Sequence, residues 1–234
     1  MATKIFTPAM LRGAGTRGVP EIPAGSSFTN TYSMAFDGVD DYILLGSVIP
    51  LGLSSISFWM KSSHSSGNGG ITKGLGDLNI IGTSPLVRLG ASNYRYFADQ
   101  VANFDGEWHH WFLLIAGSGT SDITNSRLFV DGVEISSGTT ISSGAPAAWT
   151  VSQIGTGFYV YLSCSIDEVA IWQSDQTSNI STIYNSGTPA DLTSLSPVAW
   201  YQFNEGSGTT AIDSAGSNNG TISGATYTTD VPPS

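Results

Sequence analysis

The chain has 234 residues, of which 40% are hydrophobic and 11% charged, against about 25% charged in an average soluble protein. The length suits one large all-β domain or two small ones, and no apolar run reaches the 18 residues of a membrane-spanning helix. Net charge is −10, with Lys4, Arg12 and Arg17 giving residues 1–20 a charge of +3 and leaving −13 on the remainder, a body that repels nucleic acid and anionic lipid.

Residues 1–30 are broken by Pro8, Gly13, Gly15, Gly18, Pro20, Pro23 and Gly25, so no period survives there. They read as an extended N-terminal arm, either docked through its basic residues on an acidic neighbour or unstructured. This stretch has no apolar h-region, so no secretory signal peptide is expected. From Tyr32 the pattern turns to β. Short strands are predicted at 33–36 and 42–45. Residues 55–61 alternate, with Ile56, Phe58 and Met60 on one face and Ser55, Ser57, Trp59 and Lys61 on the other, which predicts a half-buried strand. The glycine-rich stretch 66–70 reads as a loop, followed by strands at 79–81, 86–89 and 94–97.

Residues 106–117 are apolar on both faces, as in a central strand covered on both sides. Two β-prone runs, 127–130 and 133–136, are joined by Asp131-Gly132, the signal of a two-residue hairpin with positive φ at its turn. Further strands are predicted at 149–154, 158–162, 166–172 and 198–203, with a polar loop at 204–219, a short strand near 221–222 and a loose tail at 228–234. The lone cysteine, Cys164, excludes an intramolecular disulfide and reads as a small buried hydrophobe. The one helical stretch is 177–185, where Thr177 or Ser178 can cap and Gly187 can end it. His109 and His110, between Trp108 and Trp111, read as sheet histidines beside aromatic packing, since neighbouring strand residues cannot face one metal. Many strands with almost no helix predict an all-β, two-sheet antiparallel β-sandwich, a jelly roll, over residues 31–234.

Two acidic stretches stand out. Asp37, Asp40 and Asp41 crowd an Asp-Gly turn between two strands. Asp167 and Glu168 interrupt the apolar strand near Ile166 and Val169. Carboxylates beside buried strand residues need hydrogen bonds, a cation, or solvent at a sheet rim. The two stretches are expected to meet in space and close the sandwich.

Five motifs in order carry a resemblance: Phe36-Asp37-Gly38-Val39-Asp40-Asp41-Tyr42-Ile43, Ser57-Phe58-Trp59-Met60-Lys61, Glu107-Trp108-His109-His110, Leu128-Phe129-Val130-Asp131-Gly132, and Ile166-Asp167-Glu168-Val169-Ala170-Ile171-Trp172. Together they resemble the laminin-G-like jelly rolls of the concanavalin A-like lectin/glucanase superfamily, over roughly residues 32–227. The stretch from Ala199 to Thr210 resembles a segment that precedes the Phe-Asp-Gly motif in many relatives, which suggests a circular permutation. The resemblance implies a Ca²⁺ at a sheet rim, with Asp37, Asp40 or Asp41 and Asp167 or Glu168 as its carboxylates. The other reading has Asp37 and Asp41 capping turns and Asp167 bonding backbone N–H groups.

The glucanase branch carries its carboxyls two residues apart on one strand. Asp167 and Glu168 are adjacent, so a regular strand would point them to opposite faces, and no Glu occupies the matching offsets. The expected function is therefore non-enzymatic: a structural or adhesion protein displayed on a larger assembly, on a phage virion surface as a capsid or tail decoration protein. Its expected partners are other structural proteins of that assembly, held through residues 1–30, with host glycans and further copies of the chain. The alternatives are a free extracellular carbohydrate-binding module of a secreted bacterial system, and a glycoside hydrolase.

Overall fold

The computed structural model describes residues 28–63, 68–73, 76–81, 84–89, 93–98, 100–116, 123–142, 149–157, 161 and 163–234. Most of the expected arm, 1–27, and most of the strand expected at 158–162 lie outside these residues. The described residues form two antiparallel sheets, so the sandwich expectation holds. The first sheet runs Val133–Ile135, Arg127–Val130, Trp108–Ala116, Leu53–Lys61, Ser163–Trp172, Ser33–Asp37, Thr226–Thr228, and Ala199–Tyr201 also pairs with Ser163–Trp172. The second runs Ser137–Ser142, Asn93–Phe97, Ser84–Leu89, Gly76–Ile81, Asn68–Lys73, Trp149–Ile154, Tyr42–Leu51, Gly220–Ser223, Thr210–Ala211. Among the described residues no helix is long and apolar enough to cross a membrane.

The main core lies between the sheets and is built from alternating strand residues such as Met34, Phe36, Ile56, Phe58, Met60 and Trp111. The hairpin at Asp131-Gly132 forms as expected, with φ of +48° and +76° at the two turn residues. The strand Trp108–Ala116 is covered on both faces, also as expected.

The strand Leu53–Lys61 differs from expectation. Ser55, Ser57 and Trp59, assigned to a wet face, are buried along with their neighbours. A second apolar cluster explains this. Phe112, Leu114, Phe129 and Trp172 on the outer face of the first sheet are covered by Ile180, Ile183, Leu192 and Trp200. The buried serines find partners there: Ser55 Oγ donates to Ser174 O at 2.9 Å and accepts from Gln176 N at 3.0 Å. The helix that supplies the cover is a 3₁₀ turn, Thr177–Asn179, running into an α-helix, Ile180–Tyr184. It ends at Asn185 in the left-handed conformation, two residues before the expected Gly187.

Three further differences have local causes. The glycine-rich stretch expected as a loop contributes the strand Asn68–Lys73, because a Cβ at Gly70 would collide with the Gly157 backbone, so only glycine permits this approach. The polar loop 204–219 contains the short strand Thr210–Ala211 and is organised by Asp213. One carboxylate oxygen of Asp213 accepts from the backbone N–H groups of Trp200, Ala215 and Gly216, the other from Asn218. The tail expected to be loose is held down to Asp230, whose carboxylate meets Lys61 Nζ at 2.9 Å and Trp108 Nε1 at 3.0 Å.

If the second cluster is true core, Ile183→Ala should cost about 2–5 kcal/mol, read as a lower urea midpoint at unchanged slope. A change within about 0.5 kcal/mol, as for a surface residue, would mean the cover is superficial.

Candidate functional site

The strand Ser163–Trp172 carries one residue too many. Against Leu53–Lys61, Asp167 pairs with Trp59 and Ala170 with Ser57, so three steps on one strand face two on the other. The surplus is absorbed at Glu168, which takes a left-handed φ of +52°. On the opposite edge the pairing partner changes at the same place. Residues 163–166 pair with Ser33–Asp37, and residues 169–171 pair with Ala199–Tyr201. Asp167 and Glu168 lie in the gap between these partners.

This bulge overturns the expectation that the adjacent acids face opposite ways. Both contact the outer-face residues. Asp167 Oδ2 accepts from Asn30 Nδ2 at 2.7 Å, and its Oδ1 from the Glu168 backbone N–H at 2.9 Å. Glu168 Oε2 accepts from Trp200 Nε1 at 2.7 Å. Phe28 stacks on the Trp200 ring, with centroids 5.9 Å apart. Asn204 fixes the approach of the chain, accepting from the N–H groups of Thr31 and Tyr32 and donating to Thr29 O.

The acid pair is sealed: Asp167 is 0% and Glu168 3% exposed. Burial pushes both carboxyls well above the usual carboxylate range, and for Glu168 the neighbouring Asp167 charge adds to the rise. Glu168 Oε1 and Asn30 Oδ1 are buried without a hydrogen-bond partner among the described residues. A proton on a carboxyl is the natural occupant, since it removes a charge and supplies a donor. Asn30 and Trp200 were not singled out from sequence as site residues. The signal for them was the acid pair itself, because buried carboxyls require such partners.

The second acidic stretch is a separate place. Asp37, Asp40 and Asp41 bring carboxylate oxygens within 4.8 Å of one another, with Asp41 buried and the other two exposed. Asp37 Oδ1 accepts from Val39 N–H at 2.7 Å, and Asp41 Oδ2 from Asp37 N–H at 2.8 Å. The two stretches do meet as paired strands, but Asp37 stands opposite Ser163. Asp167 lies four residues further on, about 13 Å along the strand at roughly 3.3 Å per residue. Asp167 and Glu168 are therefore not part of the cluster at the turn. The oxygen-only donors and short spacing of the three aspartates fit a hard cation such as Ca²⁺, with two of the oxygens already engaged in the turn.

The histidines take different roles. His110 is fully buried, with its Nε2 2.8 Å from Ser57 Oγ, between Trp59 and Tyr184, and burial pushes its pKa down to about 3. His109 is lowered by burial but raised more by Asp131, 2.6 Å from its Nδ1, and by Asp105, for a net rise. Buried Cys164 has its thiol pushed up by desolvation. His110 is closed in by Trp59 and Tyr184, whereas Cys164 is among the residues lining a surface groove with Lys61, Ser63 and Asp230.

Residues 37–179 match a laminin-G family model described as the concanavalin A-like lectin/glucanases superfamily. The chain belongs to that superfamily. Among solved structures it is similar to a candidate carbohydrate binding protein from Bacteroides ovatus, at 17% identity and a TM-score of 0.64, covering 88% of this chain and 62% of that one. It thus spans less than two thirds of that relative. It is also similar to a native heptameric SAP-like pentraxin from Limulus polyphemus, at 12% identity and a TM-score of 0.55, covering 85% of this chain and 94% of the other. At these identities the likeness is one of fold. No match is found among curated proteins.

The sealed pair has a pH signature. With raised folded pKa values, its contribution to stability is full below about pH 4, where unfolded carboxyls titrate, and is lost as pH rises through the folded values. Glu168→Gln keeps the shape and removes one of the two titratable groups. Its melting temperature should gain on the parent's as pH rises above about 4. A difference independent of pH would show that Glu168 is not protonated in the folded chain.

Proposed function

We propose that the chain is a non-enzymatic carbohydrate-binding module of adhesion type, displayed on a larger assembly. The observation that carries this reading is the sealing of Asp167 and Glu168 within a lectin-type sandwich. Glycoside hydrolysis needs two carboxyls flanking an accessible bond. Here the adjacent acids are buried under Asn30 and Trp200, with Phe28 stacked on the tryptophan. The similarity to a candidate carbohydrate binding protein adds support for recognition rather than turnover. A glycan array probed with the full chain should give selective binding to a small set of saccharides. Silence across the array, or turnover of a β-glucan that Glu168→Gln abolishes, would overturn the reading.

The display half of the proposal rests on the charge separation between a +3 segment at 1–20 and a −13 remainder. Residues 1–30 anchor the module to other structural proteins, the acidic jelly roll projects, and a virion surface on a phage capsid or tail is the proposed setting. A free extracellular module is the second reading. Phe28 and Asn30 belong to the body's packing, so the anchoring test removes only residues 1–27. That deletion should abolish incorporation into the assembly while the melting temperature holds. Normal incorporation would reject the anchor.

Calcium is proposed at Asp37, Asp40 and Asp41, where its two positive charges would offset most of the three negative ones and cross-link the turn. Added Ca²⁺ should raise the melting temperature by a few degrees, and Asp40→Asn should remove the rise. An identical melting curve in chelator and in millimolar Ca²⁺ would leave the aspartates as turn caps.

A further inference from the structure

Glu168 Oε1 and Asn30 Oδ1 are the two loose ends of the sealed acid pair. Both are buried acceptors without a partner among the described residues. The hydrogen bonds around them indicate where a proton belongs. Asp167 accepts two N–H groups, from Asn30 and from the Glu168 backbone, whereas Glu168 accepts one, from the Trp200 indole. Such bonds favour the charged form, so Asp167 keeps its charge more easily and Glu168 Oε1 is the place for the proton. There the proton supplies the donor that the seal lacks.

Among the described residues, the charged groups nearby are committed elsewhere. Lys61 meets the Asp230 carboxylate at 2.9 Å. Asp213 holds the backbone N–H groups of Trp200, Ala215 and Gly216. Glu205 accepts from Ile212 N–H and from the Tyr227 hydroxyl. His110, beside Trp59, is held neutral by burial, its pKa pushed down to about 3. Residues 28–32 carry no charged side chain. Loss of the proton therefore leaves two carboxylates on adjacent residues in a sealed space, each raising the cost of the other.

The weakest wall of that space is the front segment. Strand pairing begins only at Ser33. Residues 28–32 lie on the body through the Phe28–Trp200 stack, the Asn30–Asp167 hydrogen bond and the side chain of Asn204. Thr29 and Thr31 are exposed, and Phe28, Asn30 and Tyr32 are half-buried. The wall opposite Asp167 is Trp59, in a strand paired on both sides. Lifting the front segment breaks a few side-chain contacts, whereas opening the sheet breaks a ladder, so the front opens first.

We propose that the acid pair is a pH latch on the front of the jelly roll: with its proton it holds residues 28–31 closed over the sheet, and without it the pair gains water by releasing them. Burial disfavours the charged form, so the closed state is favoured at low pH and lost as pH rises. Residues 1–27 join the body through this segment in the sequence, so the latch acts on their point of attachment whatever they bind. It depends neither on the carbohydrate reading nor on calcium.

The test is hydrogen exchange of the full chain, read by mass spectrometry on peptides from residues 28–33 and from the central strand Trp108–Ala116, after correction for the intrinsic pH dependence of exchange. From about pH 5 to about pH 9, protection of the front peptide should fall at least tenfold while the central strand keeps its own. Glu168→Gln replaces the proton with a permanent donor, and its front peptide should stay protected throughout. Asn30→Ala should leave the front peptide open even at the acid end, with the central strand unchanged. Equal protection of the parent's front peptide across the range would overturn the latch. A loss that Glu168→Gln retains would assign the titration to another group and overturn it too. A loss shared by the central strand would mean global destabilisation, and the latch would fall with it.

Discussion

One surplus residue governs much of this molecule. Glu168, held at φ +52°, breaks the alternation of the strand Ser163–Trp172. Below the break that strand pairs with Ser33–Asp37, and above it with Ala199–Tyr201. Segments from the start and from the last quarter of the chain are thereby joined through one strand. The bulge also turns two carboxyls to the outer face, where Asn30 and Trp200 must meet them. The cost is a buried acid pair in a strained conformation. The return is a single seam that fixes the beginning of the jelly roll, its later strands and its outer cover relative to one another.

Much of the fold was legible in the sequence because its signals are local. Asp131-Gly132 specifies a hairpin by turn chemistry, and the apolar run from Trp111 to Ile115 specifies a strand covered on both sides. The five ordered motifs pointed to the superfamily that residues 37–179 match. The parts that were not legible depend on distance along the chain. Ser55 and Ser57 look solvent-facing, and only the cover near Ile183 and Leu192, more than a hundred residues later, makes them core. Gly70 reads as a loop residue because the reason for a glycine there is the Gly157 backbone.

The acidic residues show the same limit. Their importance was visible, but their grouping was not. A strand period of two separates neighbours, and no Gly or Asn marks Glu168 as the place where that period fails. The register then sets Asp37 beside Ser163 rather than beside Asp167. What looked like one site became two, an exposed turn and a sealed pair.

The first and last strands of the described sandwich are neighbours: Ser33 stands opposite Thr228, and Ser33 Oγ donates to Asp230 O at 2.7 Å. Their antiparallel pairing brings both ends of the jelly roll out at the same corner. Tension applied across those two ends would therefore unzip this pair one bond at a time, a soft mechanical response. Load applied instead between the front of the described chain and the body would enter through Asn204 and the Phe28–Trp200 stack and meet the sheet in shear.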